Sequence, residues 1–210
     1  MIDAVIFDCD GTLVDSERLC FQATIECLAQ RGIAVAHDEL DSRYAGGNLE
    51  VMVREIGERH GVTLGSECVA DISRLEREIA RAELQPVAGV EAVLHAMELP
   101  RCVASNAPLE KTRFSLGLTG LVDHFGDALY SAYTVNAWKP EPTLFLHAAA
   151  DMGFAATRCV VIEDSVAGAT AGLRAGMKTF FYNPRAKQVP SGCVEFADMS
   201  ELPVLIAEHS

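Results

Sequence analysis

The sequence predicts an α/β protein: a parallel sheet with a block of helices inserted after its first strand. Three observations carry this expectation. Short apolar runs of the buried-strand type alternate with helical segments along most of the chain. The stretch from Ser16 to Leu84 has no convincing strand and holds four helical patterns. The chain, at 210 residues, is longer than one average domain and shorter than two, which suits a core carrying an insertion.

The first strand is Ala4 to Phe7, and it ends in Asp8-Cys9-Asp10-Gly11. A strand buried on both faces cannot hold a carboxylate cheaply, so Asp8 and Asp10 belong at its exposed end. Residues two apart on an extended backbone point the same way. Two carboxylates so placed repel unless a cation or a shared proton separates them, which makes the pair a metal site, an acid/base pair, or both. Gly11 permits the sharp turn that follows.

The insertion starts at Ser16, a candidate N-cap, and its first helix buries Phe21, Ile25 and Leu28 before ending near Gly32. Further helices are predicted over Asp38 to Tyr44, Leu49 to His60 and Ser66 to Glu83. The turn Gly46-Gly47-Asn48 between two of them can approach a ligand through backbone and carboxamide, or simply punctuate the two helices. Core strands follow at Arg101 to Ser105, Ala128 to Ser131, Cys159 to Glu163 and Lys178 to Tyr182. Between and after them come helices around Val90 to Met97, Lys111 to Leu116, Pro142 to Met152 and Ala167 to Ala175. Such a series makes a parallel sheet with right-handed crossovers, whose ligands gather at the carboxyl ends of the strands.

Those ends carry the remaining chemistry. Ser105 and Asn106 close the second strand, where a hydroxyl and nearby N–H groups can meet a phosphate oxygen or cap a helix. Lys139 stands between Trp138 and Pro140, ahead of Pro142, on a stiff platform at a helix start. Glu163 and Asp164 end an apolar strand and point to opposite sides if extended, so one suits direct metal binding and the other orients it or binds through water. Cys68 and Arg74 have the spacing of a cysteine phosphatase, but no glycine-rich loop lies between them, and the segment reads as helix.

The net charge of −13 opposes nucleic acid and anionic membrane surfaces as partners. Seven scattered cysteines, an odd number with no CxxC pair, read as reduced core residues of a cytoplasmic protein. The first strand starts at once and is acidic, so no signal peptide is expected, and no apolar run reaches membrane-spanning length.

The string DCDGTLVDS, with Ser105-Asn106, Lys139-Pro140 and Glu163-Asp164 following in order, resembles the four motifs of the haloacid dehalogenase superfamily, in its branch of magnesium-dependent phosphatases and mutases with a helical cap. The resemblance implies a Rossmann-like core of residues 1–15 and 86–210 and a helical cap of residues 16–85, tethered by two straps and able to move as a lid. It implies Asp8 as nucleophile, Asp10 as proton donor and acceptor, and Lys139 as the cation holding nucleophile and phosphoryl group. Ser105 and Asn106 would bind phosphate, and Gly46, Gly47 and Asn48 would read the substrate. Mg²⁺ would be held by Asp8, Asp10, Asp164 and Glu163. The expected function is hydrolysis of a small phosphorylated metabolite by a monomeric enzyme. FDCDGTLVDSE, SNAP, AWKPEP and EDSVAGATAGLRAGM are similar to bacterial sugar-phosphate phosphatases, which makes 6-phosphogluconate the first substrate to consider. Asp10 disfavours a dehalogenase, which has no alcohol to protonate. A hexose-phosphate mutase is the rival within the family, against which stand Cys20 where mutases carry a histidine and the lack of any lysine from 16 to 84. A catalytically silent phosphate-binding module is the alternative from another class, but it is expected to lack one of the motif residues, and none is missing.

Overall fold

The computed structural model describes residues 1–210 throughout. From β1 (Ala4–Phe7) the chain enters a helical excursion: α1 (Glu17–Ala29), α2 (His37–Tyr44), α3 (Leu49–Arg59) and α4 (Ser66–Glu83). It then runs through α5 (Val90–Ala96), β2 (Arg101–Ser105), α6 (Leu109–Leu118), β3 (Leu129–Ser131), α7 (Ala132–Val135) and α8 (Thr143–Asp151). The last part comprises β4 (Cys159–Glu163), α9 (Val166–Arg174), β5 (Lys178–Tyr182), β6 (Val194–Phe196) and α10 (Leu202–Glu208). The chain divides into two compact units, Met1–Val14 with Pro86–Ser210, and Asp15–Gln85.

In the first unit six strands form one sheet, parallel throughout, in the order β3-β2-β1-β4-β5-β6. This is the open parallel sheet that the alternating runs predict, with the central strands β1 and β4 buried along their whole length. Apolar side chains must fill both faces of such strands, and on one face Ile6, Cys102, Ala104 and Val161 pack in one cluster with Leu144, Phe145 and Ala148 of α8. The strand order reverses at β1, with β2 on one side and β4 on the other, and a crevice at the carboxyl ends is the geometric result. Register sets which residues meet there. Phe7 lies level with Ile162 and with Val103, so Asp8 stands beside Glu163 and next to the end of β2. Ser105 is level with Ser131 at the end of β3.

The second unit is a four-helix block with its own core, in which Phe21, Leu28, Leu40, Met52, Ile56 and Ile72 interlock. Its helices fall close to the predicted spans. Ser16 stands at the N-cap position of α1, its carbonyl accepting from Cys20 N at 3.0 Å, but its backbone is already helical and its side chain makes no cap hydrogen bond. Ile25 is only partly buried, unlike Phe21 and Leu28.

β6, α7 and α10 are additions to the predicted elements. β6 has three residues, with Glu195 exposed between half-buried Val194 and buried Phe196, too short for an alternation to register. α10 carries Pro203 in its first turn and is apolar nearly all round, a pattern that a short strand would share. No helix is long and apolar enough to cross a membrane.

Candidate active site

The turn after β1 is held by backbone bonds from Leu13 N and Val14 N to Cys9 O and from Gly11 N to Val14 O. Gly11 has φ +83°, and a Cβ there would overlap the Asp164 carboxylate, so glycine is required twice over. Thr12 Oγ1 donates to Asp164 Oδ1 at 3.2 Å, tying the turn to the end of β4. Asp8, just beyond β1, is 7% exposed and Asp164 is 6% exposed. Asp10 is half-buried in the turn.

Lys139 reaches this point from the segment before α8. Its Nζ donates to Asp8 Oδ1 at 2.5 Å and to Glu163 Oε1 at 2.6 Å, and lies 4.9 Å from the centre of the Phe145 ring. Burial works against the ammonium, but Asp8 and Glu163 outweigh it and hold Lys139 above the ordinary lysine range. For Asp8 burial is again the largest influence and pushes its carboxyl up; Lys139 pulls it down, and Glu163 and Asp164 push it up again, leaving it well above the usual carboxylate range.

Glu163 is fully buried. Its second oxygen accepts from the Ser165 N–H at 2.9 Å and the Ser165 hydroxyl at 2.8 Å, while Ser165 caps α9 by accepting from Gly168 N at 3.0 Å. Glu163 and Asp164 thus turn to opposite sides, one toward Lys139 and the other toward Gly11 and Thr12. A Cβ at Gly168 would overlap the Glu163 carboxylate. Gly168→Ala is therefore expected to cost about 1–3 kcal/mol, the usual range for overpacking, and to lower the melting temperature. A melting curve superposable on that of the unaltered chain would show that Glu163 has room to move.

Asp8, Glu163 and Asp164 can each turn one oxygen into a cluster with all three within 4.8 Å of one another. Three carboxylates against the ammonium groups of Lys139 and Lys187 still leave an excess of negative charge in an all-oxygen donor set, which fits a hard divalent cation such as magnesium. Both oxygens of Glu163 are engaged by Lys139 and Ser165.

Ser105 is 2% exposed, and its Oγ accepts from Ala107 N at 3.0 Å. Ser131 donates to Ala107 O at 2.7 Å, so two hydroxyls brace the turn after β2. The Asn106 side chain bonds to the backbone of Lys139: Oδ1 accepts from Lys139 N at 2.9 Å and Nδ2 donates to Lys139 O at 3.4 Å. It grips the lysine's backbone.

In the helical unit, Gly46, Gly47 and Asn48 have local structural work. Gly46 N donates to Glu17 Oε1 at 2.6 Å and Gly47 N to Tyr44 O at 2.8 Å. Asn48 caps α3, its Oδ1 accepting from Glu50 N at 2.8 Å and Val51 N at 3.2 Å. These bonds match the punctuation reading of the turn. Cys68 is buried within α4, where it cannot serve as a phosphate-loop nucleophile.

Sequence reasoning missed Lys187 and Asn183. Lys187 Nζ lies 3.7 Å from Asp164 Oδ2, and buried Asn183 holds the Lys187 backbone. A scarcity signal was available: the chain has four lysines, and two of them stand at this site.

The comparisons with known proteins agree with this geometry. The family model of the haloacid dehalogenase-like hydrolases matches residues 2–176. A 6-phosphogluconate phosphatase of Escherichia coli (strain K12) is 38% identical, over 97% of this chain and 94% of its own length. Hexitol phosphatase B of the same organism is 33% identical, over 98% and 95%. The crystal structure of a conserved haloacid dehalogenase-like protein, ATU0790 from Agrobacterium tumefaciens, matches with a TM-score of 0.86 and 29% identity, covering 100% of this chain and 99% of that one. With the motif residues gathered at the carboxyl ends of one parallel sheet and a family model spanning most of its length, the chain belongs to the haloacid dehalogenase-like hydrolases.

Proposed function

We propose that the chain is a magnesium-dependent phosphatase of small phosphorylated metabolites, with sugar phosphates as the substrate class and 6-phosphogluconate as the first candidate. The observation that carries this reading is Lys139, buried and shared between Asp8 and Glu163, from three distant parts of the sequence. An ammonium so placed holds one carboxylate in line for attack and leaves a positive face for a phosphoryl group. The substrate class comes from the relatives, a 6-phosphogluconate phosphatase and a hexitol phosphatase.

In this mechanism the Asp8 carboxylate attacks phosphorus, forming an aspartyl phosphate as the ester P–O bond breaks. Asp10 donates a proton to the departing alcohol oxygen and then takes one from the water that attacks the aspartyl phosphate, releasing phosphate and restoring Asp8. Lys139 keeps Asp8 oriented and balances charge on the phosphoryl oxygens, and the Ser105 hydroxyl donates to one of them. Asn106 and Glu163 act one step back, fixing the backbone and the ammonium of Lys139. Bound magnesium, held by the carboxylates of Asp8 and Asp164 and the backbone carbonyl of Asp10, would supply charge neutralisation for the phosphoryl oxygens. The seven cysteines form no disulfide, which suits a reducing, cytoplasmic setting.

Hydrolysis of p-nitrophenyl phosphate with Mg²⁺, and its loss on adding a chelator, tests the reaction class. No release of nitrophenol, or of phosphate from a panel of sugar phosphates, would leave the silent-module reading in its place. Including glucose 1-phosphate and following its isomerisation separates hydrolysis from mutase chemistry.

A further inference from the structure

Lys187 lies in the loop between β5 and β6, outside every stretch that supplies Asp8, Lys139 or Asp164. Its ammonium is 3.7 Å from Asp164 Oδ2 and 3.5 Å from Asp164 O. The loop is shaped to put it there. Asn183, 4% exposed at the end of β5, accepts from Lys187 N at 2.7 Å and donates to Lys187 O at 2.9 Å and to Glu195 Oε1 at 2.6 Å. One carboxamide thus closes on both backbone groups of the lysine and anchors the loop to β6. Asn106 grips Lys139 in the same manner. Both lysines of the site have their backbones fixed by a neighbouring asparagine, a constraint that a freely solvated lysine does not need.

We propose that Lys187 is a positioning residue that sets the metal affinity of the site by sharing the Asp164 carboxylate with the bound divalent cation. This rests on the reading of Asp8 and Asp164 as metal ligands. An ammonium against one ligand repels a divalent ion held by the same carboxylate, so it weakens metal binding. It also adds positive charge where a phosphate dianion must approach a chain of net charge −13. Removing it therefore acts with opposite sign on the two ligands: metal binds more tightly and phosphate ester less tightly. A residue that only supported the loop would weaken both.

The test is calorimetric titration of Mg²⁺ into the full chain and its Lys187→Met, Lys187→Arg and Asn183→Ala variants, with KM for p-nitrophenyl phosphate measured beside it. Lys187→Met is expected to bind Mg²⁺ about three- to tenfold more tightly and to raise KM by a similar factor, the range of a partly exposed charge pair. Lys187→Arg is expected to stay within about twofold of the unaltered chain on both counts, and Asn183→Ala to shift both in the direction of Lys187→Met. Metal affinity unchanged or weakened in Lys187→Met would overturn the proposal. Failure of the functional reading looks different, for then the unaltered chain binds Mg²⁺ but hydrolyses no phosphate ester, and the calorimetric comparison still decides the role of Lys187.

Discussion

Asp8→Asn is expected to lower turnover of a phosphate ester by at least ~10³-fold, on the scale of removing a nucleophile. The amide keeps the shape of the carboxylate and can still accept from Lys139, but it has no anionic oxygen to attack phosphorus. Stability should move the other way or not at all. Burial and two neighbouring carboxylates already hold the Asp8 carboxyl up, so a neutral group at that place relieves repulsion with Glu163 and Asp164. Steady-state kinetics together with a melting curve check both halves. A dead enzyme with an unchanged or raised melting temperature is the expected pair, and near-normal turnover would remove Asp8 from the chemistry.

Lys139→Met is expected to cost both activity and stability. The methionine roughly fills the volume but donates nothing, and it leaves the fully buried Glu163 and the nearly buried Asp8 without their shared cation. Breaking a buried ion pair from one side costs about 3–5 kcal/mol, because the surviving charge has no water to turn to. Turnover should fall about 10²–10³-fold with the loss of one preorganised charge at the phosphoryl group. The two variants are coupled through one contact, so Asp8→Asn with Lys139→Met should recover part of the stability lost by Lys139→Met and none of the activity. A double variant whose change in melting temperature is simply the sum of the two single changes would mean that the Asp8–Lys139 contact carries no coupling energy.

The contrast between these two residues explains why so much of the site can be read from the chain. A parallel strand buried on both faces is a continuous apolar run, so Ala4 to Phe7 and Cys159 to Glu163 announce themselves, and an acid can stand only at the end of either. The alternation of extended backbone further separates Glu163 from Asp164, one to the lysine and one to the turn at Gly11. Lys139 is legible from its flanking prolines.

What escapes the sequence depends on tertiary contact. The Asn106 carboxamide can serve a phosphate or a peptide equally well, and only the fold brings the Lys139 backbone to it. The same holds for Lys187 and the Asn183 that holds it, which belong to a segment with no periodicity; only the pairing of β4 with β5 brings Lys187 to Asp164. Asn48 illustrates the opposite case, since a cap at the start of a helix is a local event, and the punctuation reading at Gly46-Gly47-Asn48 was open from the sequence. β6 and α10 were hidden by shortness, as three residues and seven residues give no period to measure.

The most direct measurement is to trap the covalent step itself. The enzyme is mixed with Mg²⁺ and a phosphate ester, quenched in acid within the turnover time, and reduced with borohydride, which converts an aspartyl phosphate to homoserine that peptide mass spectrometry can place. The expected result is homoserine at position 8 alone, absent without substrate and absent in Asp8→Asn. Homoserine at position 10 or 164, or full turnover with an unmodified Asp8 at every quench time, would contradict it.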